Sequence, residues 1–271
     1  MYDTSIVEVR RMMRILYIKI RTMVCLLRIR IIFYTTVILM HLSNVLYMTW
    51  YVTQSHYKDE KALIFKDLEY RFFTTWNFVL QVVYSLLGLA CDTLLLKNSR
   101  KKNYQLPEAM SDFREVVYSG LVWPSSLVVF SVFWSVYAFD RGLIYPEFLD
   151  TVIPPISNHV IHTVIFPVAL FELVFRPRFE PETHARNVAQ LCLHLSVYVC
   201  VLFFTFQERG IWLYPIFKQL YGTVYFPLAL GCVGFLFFIF YYSQWPLTKM
   251  IHGSKNKQPK KTQADKKKKN K

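Results

Sequence analysis

No Gly-x-Ser-x-Gly elbow occurs in the 271 residues, which removes the common serine lipase fold as a source of hydrolytic chemistry. Cysteine is sparse and poorly spaced: Cys25, Cys91, Cys192, Cys200 and Cys232 are odd in number, form no Cys-x-x-Cys pair and lie mostly within apolar runs. Neither a disulfide framework nor a zinc site follows, and small core residues are the simpler reading. Seven histidines are too few for the clustered boxes of a metal-dependent desaturase, and His159-x-x-His162 alone is weak evidence for a metal; no metal or cofactor is expected. Charge is also scarce, at 18% of the chain against 54% apolar and 17% aromatic residues, a balance too apolar for an ordinary soluble domain. The polar links between apolar runs are too short to hold a second folded domain.

What the chain does contain is long apolar runs. Windows of about 20 residues, enough to cross roughly 30 Å of hydrocarbon, fall around 31–52, 71–96, 116–139, 156–175, 188–206 and 222–242. They predict an all-α integral membrane bundle of six transmembrane helices over 31–245. A basic extension, 1–30, precedes it, and a disordered lysine-rich tail, 246–271, follows.

Orientation comes from the basic residues. The stretch 1–30, the links 97–115 and 176–186 and the tail 243–271 hold 25 of the 32 lysines and arginines, whereas 53–71, 140–155 and 207–221 hold seven, balanced by acids. By the positive-inside rule both termini are cytosolic. The formal charge of +14 is then mostly a topology signal, and nucleic acid is not an expected partner, because the cations are scattered over membrane flanks without a binding fold.

Arg10, Arg14, Arg21 and Arg28 recur at intervals of four and seven, which suits a basic interfacial helix attracted to anionic lipid. An extended lead into the first span is the alternative. The basic stretch is too long for a cleavable signal peptide, and no small-residue cleavage site follows. The chain ends Lys268-Lys269-Asn270-Lys271, which resembles the dilysine retrieval signal of endoplasmic reticulum membrane proteins, although any solvated polybasic tail matches easily. The expected location is the endoplasmic reticulum or another cell membrane.

Two internal patterns stand out. "FDRGLIYPEF" (139–148) and "QERGIWLYPIF" (207–217) share acid-Arg-Gly followed by Tyr-Pro-x-Phe, and each joins an outgoing helix to a returning one, as in a degenerate parallel repeat. Thr74, Asn77, Gln81, Ser85, Gly88 and Asp92 follow at intervals of three or four and share one face of the second span. Polar groups are costly in lipid, so this face should point into the bundle, where interhelical hydrogen bonding accounts for most of it.

The outer end of that line bears on two histidines in the fourth span. Thr74 and His162 lie about 5 Å and about 9 Å along helices that start on the same side, at ~1.5 Å per residue. Asn158, His159 and His162 can share a face. A hydroxyl, an imidazole and an amide could therefore meet just below the membrane surface.

"YRFFTTWNFVLQ" (70–81), "FWSVYAFDRGLIYPEFLD" (133–150), "IPPISNHVIHTVIFP" (153–167) and "WLYPIF" (212–217) resemble corresponding segments of the androgen-induced and androgen-dependent family of multipass membrane hydrolases. The resemblance spans roughly residues 40–245. It implies hydrolysis of fatty acid esters of hydroxy fatty acids, with Thr74 as nucleophile and His162 as general base. Asn158, His159 and Asn77 are candidate supporting residues, and the expected partners are a lipid ester from the bilayer and the membrane lipids themselves. The basic N-terminus and the lysine-rich tail depart from the family pattern. Thr75 is the competing hydroxyl, about 100° round the helix from Thr74. The rival reading is a noncatalytic scaffold or transporter that uses the polar face of the second span, Asp92 and Glu172 as a path or as packing contacts.

Overall fold

The computed structural model describes residues 3–54, 60–101 and 104–253. Every regular element among them is helical, and six helices are long and apolar enough to cross a membrane. They are α1 (Asp3–Gln54, apolar over Arg21–Gln54), α2 (Phe73–Lys97), α3 (Glu108–Phe139), α4 (Pro155–Phe175), α5 (Ala185–Arg209) and α6 (Tyr225–His252). The chain is an all-α, multipass membrane protein. Asp3–Gln54 is one uninterrupted helix, so the basic extension and the first span are continuous. The terminal lysines Lys268 and Lys269 lie outside the described residues.

The sixth helix corrects one boundary. Residues 246–252, assigned from sequence to the disordered tail, continue α6 through Pro246. Buried contacts hold this last turn against the loss of the proline N–H: Trp245 and Thr248 are buried, and His252 Nε2–H donates to the Leu173 carbonyl at 2.9 Å. A lysine-to-acid pair, Lys249 Nζ to Glu180 Oε2 at 2.5 Å, closes its outer face.

Proline also reshapes two other spans. In α3, Tyr118–Val122 is wound as a π turn just before Pro124, which has no N–H to offer the Gly120 carbonyl. Pro167 likewise has no N–H to offer the Thr163 carbonyl, which accepts from the Phe166 N–H at 3.3 Å instead. There α4 stops at His162 and resumes at Ile165, and the Thr163 and Val164 N–H groups both return to the His159 carbonyl at 2.8 and 2.9 Å. The break falls directly after His162.

The polar line of α2 faces inward as its spacing predicts: Asn77, Gln81, Ser85, Gly88 and Asp92 are all buried. Gly88 lets α1 approach closely. A Cβ there would lie 2.8–3.0 Å from three carbons of the Tyr34 ring. Gly88→Ala is expected to cost about 1–3 kcal/mol through overpacking, read as a lower midpoint of thermal unfolding in detergent; an unchanged midpoint would mean that Tyr34 moves freely.

The inner end of the bundle holds an ionic network. Asp92 of α2 is paired by Arg30 of α1 and by Arg114 of α3, the latter at 2.7 Å. Glu172 of α4 takes Arg114 at 3.3 Å, Arg176, and the hydroxyls of Tyr34 and Tyr84. Glu115 takes Arg176 at 2.8 Å and Arg178, and Arg178 also donates to Gln244 of α6 at 2.9 Å. Buried acids are tolerable in lipid only when paired in this way. Five of the six spans meet here, and Arg176, just past the end of α4, has its pKa raised, against its burial, by Tyr84, Glu115 and Glu172.

Candidate active site

The opposite end of the bundle builds the site, starting with the first turn of α2. Arg71, in the link before that helix, donates to Thr205 Oγ1 at 3.2 Å and to Glu208 Oε2 at 2.6 Å on α5; the hydrogen bond it gives to Glu208 raises its pKa. Helix N-termini leave backbone N–H groups without intrahelical acceptors. Here the Phe73 N–H meets the hydroxyls of Tyr198 and Tyr214, each at 3.0 Å, and the Thr75 and Trp76 N–H groups return to the Phe72 carbonyl. The Thr74 N–H has no acceptor among the described residues.

The two Tyr-Pro corners lie at this end. Tyr214 supplies one of the hydroxyls on Phe73, and Tyr145 lines the cavity beside Thr74. Their preceding glycines differ. Gly210 takes φ 68° to end α5, whereas Gly142 donates its N–H to Asp140 Oδ1 at 2.8 Å.

Thr74 Oγ1 lies 3.4 Å from His162 Nε2. The other ring nitrogen, Nδ1, is 2.7 Å from Asn158 Oδ1 and 3.2 Å from the Asn158 backbone carbonyl. A backbone carbonyl can only accept, so Nδ1 carries the proton and Nε2 presents its lone pair toward the threonine hydroxyl. Phe133 of α3 stacks on the imidazole, with ring centroids 3.5 Å apart and planes 7° from parallel, and fixes the tilt of the ring. Threonine, histidine and asparagine therefore form a connected line: hydroxyl, imidazole, carboxamide.

Not every candidate joins it. His159 is exposed, with Nδ1 3.0 Å from Thr163 Oγ1 and its ring against Trp134, so it does not touch the other members. Thr75 also borders the cavity, but its hydroxyl donates to the Glu69 carbonyl at 2.7 Å. Asn77 lies one turn below Thr74 and is fully buried; its Oδ1 accepts from Ser126 Oγ at 3.1 Å. Gln81 extends this line by donating to Ser126 Oγ and to the Ile165 carbonyl at 3.0 and 2.8 Å, and His41 Nε2–H donates to Gln81 Oε1 at 3.2 Å. These bonds tie α1, α2, α3 and α4 together immediately beneath the Thr74–His162 pair.

Above the pair opens a cavity of about 290 Å³. Its walls are chiefly apolar, including Val45, Met48 and Val52 of α1, Phe78 of α2 and Ile161 of α4, and Lys66, Glu69 and Tyr70 stand at its rim. Partial burial pushes the Glu69 carboxyl up, against the opposing pull of the Lys66 ammonium. Sequence reasoning missed Asn44, which lines the same cavity from α1. A lone asparagine among apolar residues was the available signal, but spacing tied it to nothing.

A family model described as FAR-17a/AIG1-like protein matches residues 33–246, a range that includes every residue of this site. Androgen-dependent TFPI-regulating protein of Homo sapiens is 32% identical over 182 residues, which cover 65% of this chain and 77% of that protein. The protein of the same name from Rattus norvegicus is 32% identical over 191 residues, covering 69% and 80%. Androgen-induced gene 1 protein of Homo sapiens is 28% identical over 155 residues, covering 56% and 64%. No solved structure matches.

Proposed function

This chain belongs to the FAR-17a/AIG1-like protein family, and from that premise we propose that it is an intramembrane lipid ester hydrolase acting on fatty acid esters of hydroxy fatty acids. The observation that carries the reading is the approach of Thr74 Oγ1 to His162 Nε2 inside an apolar cavity, with Nδ1 of the same ring bound to Asn158. A free hydroxyl is a poor nucleophile at neutral pH, and an imidazole with its lone pair facing it is the usual remedy. The remaining supporting residue, Asn77, holds the helix interface under the pair.

The chemistry runs in two halves. His162 Nε2 takes the proton as Thr74 Oγ1 attacks the ester carbonyl; the ester C–O bond then breaks, and the departing alkoxide receives that proton from His162. A hydroxy fatty acid leaves, and the acyl group stays on Thr74. Water, deprotonated by His162, attacks the acyl-threonine and releases the fatty acid, returning the proton to Thr74. Asn158 accepts from Nδ1 throughout, so it stabilises the imidazolium and keeps the productive tautomer.

A transporter needs the polar face of α2 to be free as a path, yet Asn77 and Gln81 are committed to α1, α3 and α4; a scaffold that uses this face for packing contacts is compatible with those bonds. Labelling with a fluorophosphonate hydrolase probe, with hydrolysis of a panel of branched lipid esters by the detergent-solubilised protein, separates the readings. A scaffold or transporter would neither label at Thr74 nor hydrolyse.

Charge bias favours a noncytosolic cavity end, lumenal where the membrane is that of the endoplasmic reticulum, with both termini cytosolic. In a background lacking the five native cysteines, Lys61→Cys and Glu147→Cys should resist an impermeant thiol reagent in intact microsomes and react once the membrane is opened. Lys101→Cys should react without opening. Reversed accessibility would place the reaction on the cytosolic side.

A further inference from the structure

Attack on an ester carbonyl gathers negative charge on the carbonyl oxygen, and a mostly apolar cavity stabilises that charge only where N–H donors are already in place. Most polar groups lining this cavity are committed elsewhere. Thr49 donates to the Val45 carbonyl at 2.9 Å, Thr75 to the Glu69 carbonyl at 2.7 Å and Tyr145 to the Ile153 carbonyl at 3.1 Å. Lys66, Glu69 and Tyr70 are exposed at the rim.

Asn44 is different. It is 6% exposed, and the only hydrogen bond its carboxamide makes among the described residues is from Nδ2 to the Met48 sulfur at 3.6 Å, a weak acceptor. Burying an amide with so little in return is unfavourable, and packing alone gives no reason to keep it. Asn44 projects from α1, which packs along α2 more extensively than any other helix pair in the bundle, and it shares the cavity wall with Thr74 and His162. The second donor is already at the nucleophile, because the Thr74 N–H lies in the first turn of α2 without an acceptor among the described residues.

We propose that the Asn44 side-chain amide and the Thr74 backbone N–H form the oxyanion hole of this enzyme, an assignment that rests on the hydrolase reading above. As the Thr74 Oγ1–carbon bond forms, the carbonyl π pair moves onto oxygen and both donors bind it. When the carbonyl re-forms, the pair returns and the ester C–O bond breaks. The same two donors serve the second half, when water attacks the acyl-threonine. Asn44 thereby recognises the carbonyl common to all esters and leaves chain selection to the apolar walls.

The test uses the full chain and two variants, Asn44→Ala and Asn44→Leu; the second keeps much of the volume and removes the donor without adding a charge. Three quantities are read: kcat and KM on a hydrolysed ester, the rate of fluorophosphonate labelling at Thr74, and the unfolding midpoint. Loss of one oxyanion donor is expected to lower kcat and the labelling rate by about 10²–10³-fold, with little change in KM or in the midpoint of Asn44→Leu. A merely structural asparagine would instead lower the midpoint and the folded yield while leaving kcat per folded molecule unchanged, and that result overturns the assignment. So does an Asn44→Leu variant that turns over within about threefold of wild type, while leaving the hydrolase reading intact. A wild-type protein that neither hydrolyses esters nor labels at Thr74 sinks that reading and the oxyanion hole together.

Discussion

Thr74→Ala and His162→Ala are each expected to lower ester turnover by about 10³-fold or more, and the double variant should be scarcely worse than either single one, because groups that act as a unit fail together. The geometry gives the reason. Without the Thr74 hydroxyl there is no nucleophile, and the neighbouring Thr75 cannot replace it while its proton is given to the Glu69 carbonyl. Without the His162 ring the hydroxyl remains but loses its partner base among the described residues. Thr74→Ser keeps the hydroxyl and removes a methyl, so intermediate turnover is expected and probe labelling should persist. Thr74 is partly buried and makes no other side-chain bond among the described residues, so its alanine variant should accumulate and unfold much as wild type does. Near-normal turnover by a well-folded Thr74→Ala protein would remove the nucleophile assignment. Asn158→Ala is a milder case: the ring keeps the backbone carbonyl of Asn158 at 3.2 Å as an acceptor, so part of the activity should survive.

What the sequence could show follows from what periodicity records. The intervals of three and four from Thr74 to Asp92 mark one helix face, and that face is buried. Thr74 and His162 meet because α2 and α4 enter from the same side and each places its residue near the start, a matter of counting residues once the spans are drawn. The choice of these two residues among many polar ones came from the family resemblance. His159 shows the limit of spacing: three residues from His162 permits a shared face, yet the helix ends at His162 and the His159 ring turns to Thr163. That break is caused by Pro167, a residue that apolar windows count as ordinary membrane filler. Asn44 carried no periodic signal because its partners in the cavity come from other helices.

The basic residues were legible only in part, and the remainder leads to the second large effect. Arg30, Arg114, Arg176 and Arg178 count toward cytosolic placement on charge bias, but in the folded chain they are drawn in against Asp92, Glu115 and Glu172. Arg114 joins Asp92 and Glu172, as Arg176 joins Glu115 and Glu172, and is 3% exposed along its side chain. Removing one partner of a buried pair leaves an uncompensated charge, so Arg114→Ala is expected to destabilise the bundle by about 3–5 kcal/mol. Lipid offers helices little hydrophobic drive to associate, so loss of this polar tie should appear as a large drop in the unfolding midpoint in detergent and in folded yield. Arg114→Lys should recover part of the loss, since a compact ammonium cannot reach Asp92, Glu172 and Tyr34 with the separate donors of a guanidinium. Asp92 lies 18 residues along α2 from Thr74, about 27 Å at ~1.5 Å per residue, so the surviving folded molecules should keep their kcat. If Arg114→Ala instead left stability intact and abolished turnover, the network would belong to the chemistry, and the separation of a catalytic end from a structural end would be wrong.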